Sequence, residues 1–310
     1  MRHMNKGIWY AIGAYAFWGL FPVYWKWLHQ VPALQLLSHR IVWSSLLLLA
    51  VILLTKQWQA FRAAALTWRV LRIYLISAVL IGVNWLTYVW AVNAGFIVET
   101  SLGYFINPLL SVLMGVIFLR ERLRAWQWLP IGLATAGVLY LTFAYRVGAA
   151  EGLTAHGALP WIALTLAFSF GLYGLIKKVA PLSSLYGLTL ETGILFLPAL
   201  AWLIYSDVAG QGAFLHTGTG SDLLLVGAGA VTTVPLLMFA AGVRRIPLSL
   251  VGILQYITPT MQFLLGVLVY KEPFTHTRLI GFGIVWIALI IFGVEGFLAH
   301  RNQPVAAVAD

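Results

Sequence analysis

The chain has 310 residues, of which 61% are hydrophobic and only 9% charged, with a mean hydropathy of +0.90, no cysteine and a formal net charge of +10. Soluble domains carry roughly a quarter charged residues, so this surface must face lipid, and the missing cysteines exclude disulfides, thiolate metal sites and cysteine nucleophiles. The basic excess reads as the positive bias of cytoplasmic loops rather than as a nucleic-acid footprint.

A spanning helix needs roughly 20 apolar residues. Ten such segments follow one another, at 7–28, 36–54, 73–94, 99–119, 127–145, 159–178, 184–205, 222–243, 248–269 and 277–297. The connections between them are too short for a soluble domain. The first segment follows the basic start MRHMNKG. It exceeds a signal h-region in length and no small-residue cleavage site follows, so it is expected to remain as a span. With the N-terminus inside, 14 of the 19 lysines and arginines fall in inside segments and four outside; the last, Arg40, lies within a span. That split predicts an even number of crossings with both termini cytoplasmic. The longest inside connection, residues 55–72, carries Trp58, Phe61, Ala65, Trp68 and Leu71 at helical spacing with arginines between. It reads as a short helix anchored in the headgroup region.

Taken in chain order, the spans carry few polar groups. Trp18 is central in the first, whereas Trp25 and Trp27 lie near a boundary and read as belt residues. His39 and Arg40 open the second span. An ionisable group inside a membrane is a functional hypothesis by default, yet Arg40 is shallow enough either to snorkel to the outer boundary or to recruit an anionic group. In the third span Asn84 and Tyr88 share a face beside Trp85, and the amide binds either another helix or a solute. The fourth presents Ser101, Tyr104, Pro108, Ser111 and Gly115 on one stripe, with Asn107 next to the proline. Ser169 and Tyr173 take the equivalent part in the sixth span. Glu191, in the seventh, is either a coupling or substrate-charge residue or the structural partner of a lysine or other donor. The ninth repeats the stripe of the fourth as Gly252, Gln255, Pro259, Gln262 and Gly266. Glu121 and Glu272, at span ends beside basic residues, read as solvated charges.

The repetition is systematic. SLGYFINPLLSVLMGVIFLRE at 101–121 and GILQYITPTMQFLLGVLVYKE at 252–272 share Pro108/Pro259, Gly115/Gly266 and Glu121/Glu272 at an offset of 151 residues. Outward from there Gly19 meets Gly171, Lys26 meets Lys178 and Gly132 meets Gly283. The chain therefore divides into a unit of five spans at 1–145, a connecting outside loop at 146–158, a second unit of five at 159–298 and a cytoplasmic tail at 299–310. Five is odd, so the second unit enters the membrane from the opposite face. The expected fold is an all-α membrane protein, ten transmembrane helices in two inverted five-helix repeats around a central cavity. Pro108 and Pro259 fall at mid-span and free the carbonyls of Tyr104 and Gln255. Irregular backbone at that depth is tolerated only against protein or a wet cavity, so both prolines are expected to kink or gate it.

No metalloprotease, nucleophile-elbow or phosphate-loop pattern occurs. No cofactor, metal, ATP or nucleic acid is expected, and transport would run on a gradient or on exchange.

The runs AFWGLFPVYWK, LLSHRIVWSSLLL, NPLLSVLMGVIFLRERL and LQYITPTMQFLLGVLVYKEPF resemble the RarD-type permeases of the EamA branch of the drug/metabolite transporter superfamily, over about residues 5–297. The resemblance implies a bacterial inner-membrane protein of two inverted EamA units that moves amino acids, metabolites or amphiphilic drugs. The family's proline maps to Pro108 and Pro259, and the lysine ending the first helix of each unit to Lys26 and Lys178. One departure is that Glu191-Thr192 stands where the first unit has His39-Arg40. The expectation is a secondary transporter or exporter of a small metabolite or drug-like solute, with membrane lipid as its other partner. Trp18, His39, Arg40, Asn84, Tyr88, Tyr104, Asn107, Tyr173, Glu191, Gln255 and Gln262 are the candidate solute-site residues. A membrane-embedded enzyme acting on an amphiphile and a passive solute channel stay open as alternatives, as do substrate, direction, coupling ion and oligomeric state.

Overall fold

The computed structural model describes residues 2–94, 97–148, 161–271 and 276–301, and regular structure among them is entirely helical. Its elements are α1 (Arg2–Trp27), α2 (Ala33–Leu54), α3 (Trp58–Ala65), α4 (Trp68–Asn93), α5 (Ile97–Phe118), α6 (Trp128–Gly148), α7 (Trp161–Val179), α8 (Ser184–Val208), α9 (Thr219–Val243), α10 (Leu248–Gln255), α11 (Ile257–Leu264) and α12 (His276–Arg301). A single 3₁₀ turn, Ala125–Gln127, leads into α6, and a π-helical turn, Leu265–Val269, ends α11. Each expected span coincides with a helix, or for the ninth with α10 and α11 in series. Among the described residues six stretches are long and apolar enough to cross a membrane: Ala33–Leu54, Trp68–Ala91, Trp161–Val179, Ser184–Val208, Thr219–Val243 and Leu248–Val269. Most of the connecting loop expected at 146–158, and the tail beyond residue 301, lie outside the described residues.

The helix ends follow local chemistry. Pro32 and Pro247 precede α2 and α10, where fixed φ suits a helix entry. Ser183 Oγ accepts from Tyr186 N at 3.3 Å to cap α8. Gly218, at φ +103°, turns the chain into α9 in a conformation that favours glycine.

The segment expected as a headgroup anchor divides differently: α3 spans only Trp58–Ala65, and Trp68 already belongs to α4. Phe61 and Ala65 are buried with Ile52, Tyr74 and Leu182, and Phe61 meets Tyr186 edge-on at 5.5 Å. The apolar face of α3 is thus spent on protein, while Trp58 and Trp68 remain exposed.

Packing sets α1 against α9 and α11, α4 against α7, α5 against α7 and α10, α2 against α8 and α9, and α6 against α12. The bundle's outer surface is apolar, with Leu54, Ile76, Leu86, Ile117, Leu197, Val208 and Ile290 all largely exposed. Serines, threonines, Gln35, Asn107, Gln255, Lys177 and Glu191 are buried inside. A contiguous apolar exterior around polar interior groups fits lipid as the solvent.

Close approach depends on glycine at two places. A Cβ on Gly252 would lie 2.5 Å from the Pro108 carbonyl oxygen, so α10 crosses α5 nearly backbone to backbone. A Cβ on Gly115 would lie 2.7 Å from Glu121 Oε2, so that glycine leaves room for a carboxylate. The α5–α10 crossing also brings Tyr256 Oη to the Phe105 carbonyl at 3.4 Å, two positions separated by the 151-residue repeat offset.

The two prolines behave differently. Helix α5 runs unbroken past Pro108, whereas the ninth segment breaks at Tyr256, whose N–H turns to Ile253 O at 3.3 Å. Pro259 then occupies the first turn of α11, where its missing N–H costs nothing further.

Candidate functional site

One cavity of about 260 Å³ lies inside the bundle, between the elements of the first and second halves of the chain. Helix α1 contributes Trp18, Phe21, Pro22 and Trp25, α2 contributes Arg40, and α4 contributes Asn84, Trp85 and Tyr88. Gly103, Tyr104 and Asn107 come from α5, Leu166 and Phe170 from α7, and Gln255, Thr258, Pro259 and Gln262 from α10 and α11. Tyr15 of α1 and Leu236 of α9 complete the lining.

Of the residues expected from sequence, Trp18, Arg40, Asn84, Tyr88, Tyr104, Asn107, Gln255, Gln262 and Pro259 share this cavity. His39, Tyr173, Glu191 and Pro108 are not among its lining residues. His39 is buried outside this lining and packs on the Phe214 ring at 5.2 Å. Tyr173 is fully buried and stacks on Phe239 at 6.1 Å.

Several cavity groups are held by their own bonds. Asn84 Nδ2 donates to the Leu166 carbonyl at 2.9 Å and to Ser169 Oγ at 3.0 Å, so it fixes α4 to α7 as well as facing the cavity. Gln262 Nε2 donates to the Trp18 carbonyl at 3.2 Å, and Thr258 Oγ1 to the Tyr15 carbonyl at 2.8 Å, tying α11 to α1. The Tyr88 and Tyr104 rings meet edge-on at 5.9 Å. Gln255 Oε1 and Tyr15 Oη are buried without a hydrogen-bond partner among the described residues.

Arg40 is the charged member of the set. Its Nε donates to Thr232 Oγ1 at 2.9 Å. The guanidinium carbon lies 4.8 Å from the Trp25 ring centroid, 5.3 Å from Trp85 and 5.8 Å from Phe21. Trp25 is therefore a cavity residue rather than a belt residue. Its place near a span end gave no sign of this, but its spacing one turn beyond Phe21 on the Trp18 side of α1 could have.

Glu191 has a lysine partner after all. Lys177 Nζ lies 2.7 Å from Glu191 Oε2, with the two side chains 3% and 1% exposed. The contact is charge against charge rather than a well-directed hydrogen bond. Ser77 Oγ donates to Glu191 Oε1 at 2.6 Å and Tyr173 Oη to Oε2 at 3.2 Å. The ammonium also sits 5.5 Å from the Tyr74 ring centroid and 5.4 Å from Tyr173. This cluster joins α4, α7 and α8 away from the cavity.

On the side of the bundle away from the Trp25 end, the interior is filled. Tyr15, Met114, Tyr173, Phe239, Val243, Ile246, Leu248 and Val251 form one buried cluster there. Glu121, expected to be solvated, seals the same end: it accepts from Leu248 N at 2.6 Å, Ser249 N at 2.9 Å and Ser249 Oγ at 2.7 Å. A carboxylate on the free N–H groups of α10 is the charge a helix start favours. Lys178 Nζ donates to the Ile246 carbonyl, and Arg244 to those of Ala180 and Leu182. At the other end Lys26 lies over the Tyr270 ring at 3.6 Å, and Gln30 Nε2 donates to Ser221 Oγ at 2.7 Å.

The model of the EamA-like transporter family matches the chain twice, over residues 5–143 and 159–294. A protein of Bacillus subtilis (strain 168), described as the uncharacterized transporter YojE, is 46% identical over 94% of this chain and 95% of its own. Protein RarD of Streptomyces exfoliatus is 43% identical over 97% of this chain and 92% of its own. A solved crystal structure aligns with a TM-score of 0.68 over 93% of this chain and 98% of that one at 17% identity, a likeness of fold alone.

Proposed function

Because the chain belongs to the EamA-like transporter family and is of the RarD type, we propose that it is a secondary transporter moving a small organic solute by alternating access. The observation that carries the reading is the cavity itself. It is bounded by both halves of the chain, reaches toward one end of the bundle and is filled and hydrogen-bonded shut toward the other.

The proposed architecture is ten crossings in two inverted units, 1–145 and 159–298. The contact of Tyr256 with Phe105 supports it, since two residues one repeat apart can meet only near the axis relating the units. With both termini in the cytoplasm of a bacterial inner membrane, the positive-inside distribution assigns the filled end to the inside. This conformation then faces outward, with Glu121, Lys178 and Arg244 holding the inner seal.

The proposed solute site is Trp18, Arg40, Asn84, Tyr88, Tyr104, Asn107, Gln255 and Gln262. A volume of about 260 Å³ falls just below the ~300–1,000 Å³ range of ligand cavities, so a small metabolite fits better than a drug-sized molecule. The break at Tyr256 beside Pro259 supplies the hinge in α10–α11. The Lys177–Glu191 cluster belongs to the inner packing.

The test is reconstitution. A metabolite library screened by thermal shift selects a ligand of the folded protein, and proteoliposomes should then show saturable counterflow of it. Flux that never saturates would make the protein a channel, and chemical conversion of the ligand would make it an enzyme.

A further inference from the structure

Among the described residues, the cavity lining holds a cation and no anion. Nine acidic residues exist in the chain. Those whose side chains are described and paired are engaged elsewhere: Glu121 on the start of α10, Glu191 on Lys177, Glu295 on Arg124, Asp207 beside His216 and Asp222 on the Leu215 N–H. None of the described carboxylates forms an ion pair with Arg40. A guanidinium has five N–H donors. Nε is taken by Thr232, the two Nη groups have no hydrogen-bond acceptor among the described residues, and the residue lines the cavity.

The surroundings sharpen this. Aromatic faces of Phe21, Trp25 and Trp85 surround the guanidinium and hold it in place without neutralising it. The rest of the lining is uncharged. At the equivalent place in the second half of the chain the arrangement is compensated. At the 152-residue offset Trp25 corresponds to Lys177 and His39 to Glu191, and there lysine and glutamate form a buried pair. The second half thus carries its own counter-ion at this place; among the described residues the first half, which supplies Arg40 to the cavity, does not. A partly buried cation of this kind is stabilised by an oxyanion placed on its fork.

We propose that the solute is a small organic monoanion, a carboxylate with an apolar or aromatic body, whose carboxylate sits on the Nη groups of Arg40 and whose body lies along Trp18 and Trp85. The inference rests on the transporter reading for its setting and concerns what that same cavity accepts. A single cation matches a single negative charge better than a phosphate, which carries about −1.5 to −2 at neutral pH. A zwitterionic amino acid would bring an ammonium into a cavity whose lining contains no carboxylate among the described residues.

The experiment compares molecules of one skeleton. Purified protein in nanodiscs is titrated with phenylacetate, phenylacetamide, phenylglycine, benzylamine and phenyl phosphate, read by melting temperature and tryptophan fluorescence. Phenylacetate should bind at least about tenfold more tightly than the amide or the zwitterion, as a charge-assisted bidentate contact requires. Arg40→Gln should remove that preference, while Arg40→Lys keeps the preference for the anion at lower affinity. Equal or tighter binding of the amide, the zwitterion or the amine overturns the proposal. So does undiminished anion preference in Arg40→Gln, or no response to phenylacetate up to about 10 mM, at least about tenfold above the Kd of any sub-millimolar site. Tighter binding of phenyl phosphate replaces the carboxylate with a phosphate class. Counterflow is read separately with radiolabelled phenylacetate. Binding through Arg40 without exchange keeps this inference and removes the transport reading; saturable exchange of a solute indifferent to Arg40 does the reverse.

Discussion

Removing Glu191 should destabilise the protein far more than removing both members of its pair. Lys177 and Glu191 are 3% and 1% exposed and 2.7 Å apart. In Glu191→Gln the ammonium loses its only ion-pair partner among the described residues and keeps two ring faces at 5.4 and 5.5 Å. Stranding a buried charge costs about 3–5 kcal/mol. At ~2–4 °C per kcal/mol for chains of a couple of hundred residues, the melting temperature should fall by roughly 6 °C or more. Lys177→Met strands the carboxylate less severely, because Ser77 Oγ and Tyr173 Oη still donate to it at 2.6 and 3.2 Å. The double variant Lys177→Met/Glu191→Gln leaves a neutral amide beside both hydroxyls and should return to within about 1–2 °C of the wild type. Nanodisc-reconstituted protein followed by intrinsic fluorescence on heating measures all four. A double variant whose loss equals the sum of the single losses would show that the two charges do not act as a pair.

Three further outcomes follow from the packing and the proposed mechanism. Gly252→Ala forces a Cβ to 2.5 Å from the Pro108 carbonyl oxygen and should cost about 1–3 kcal/mol by overpacking; Gly132→Ala, with nothing within 4 Å of the new Cβ, is the control and should melt no lower than wild type. Glu121→Ala strips three acceptor contacts from the start of α10, so a cysteine at buried Val251, in a chain that otherwise has none, should be labelled from the inner face several-fold faster, as the loss of ~1–2 kcal/mol of capping implies; an unchanged rate would remove Glu121 from the seal. Pro259→Ala restores an N–H opposite the Gln255 carbonyl and should slow counterflow more than it changes the melting temperature, whereas wild-type turnover would count against a hinge at Tyr256.

Much of this was written in spacing. The 151-residue offset, read with helical periodicity, picked out Tyr104, Gln255 and Gln262, and all three face the cavity. The apolar runs located the helices because burial in lipid leaves a continuous hydrophobic signature. Pairings across the fold were not legible in the same way. Lys177 looked like a boundary cation, one of two consecutive lysines where the first unit has Trp25-Lys26, and only the approach of α7 to α8 joins it to Glu191. Trp25 resembled a belt residue because position along a span does not reveal which face a neighbouring helix covers. Identical prolines led to an unbroken α5 and a broken ninth segment, since a lost backbone bond is resolved by surroundings rather than by the proline alone. Glu121 was hidden for the same reason: its value lies in the free N–H groups of a helix 127 residues away.

The unequal charge at matching places in the two halves has a consequence for the transport cycle. If the halves exchange roles as the protein turns over, the vestibule that opens to one compartment offers a bare guanidinium, and the one that opens to the other offers lysine and glutamate already cancelling each other. An anion would then meet a sticky doorway on one side and an indifferent one on the other. Half-saturation would differ between the compartments even though, at equilibrium, net movement must still vanish.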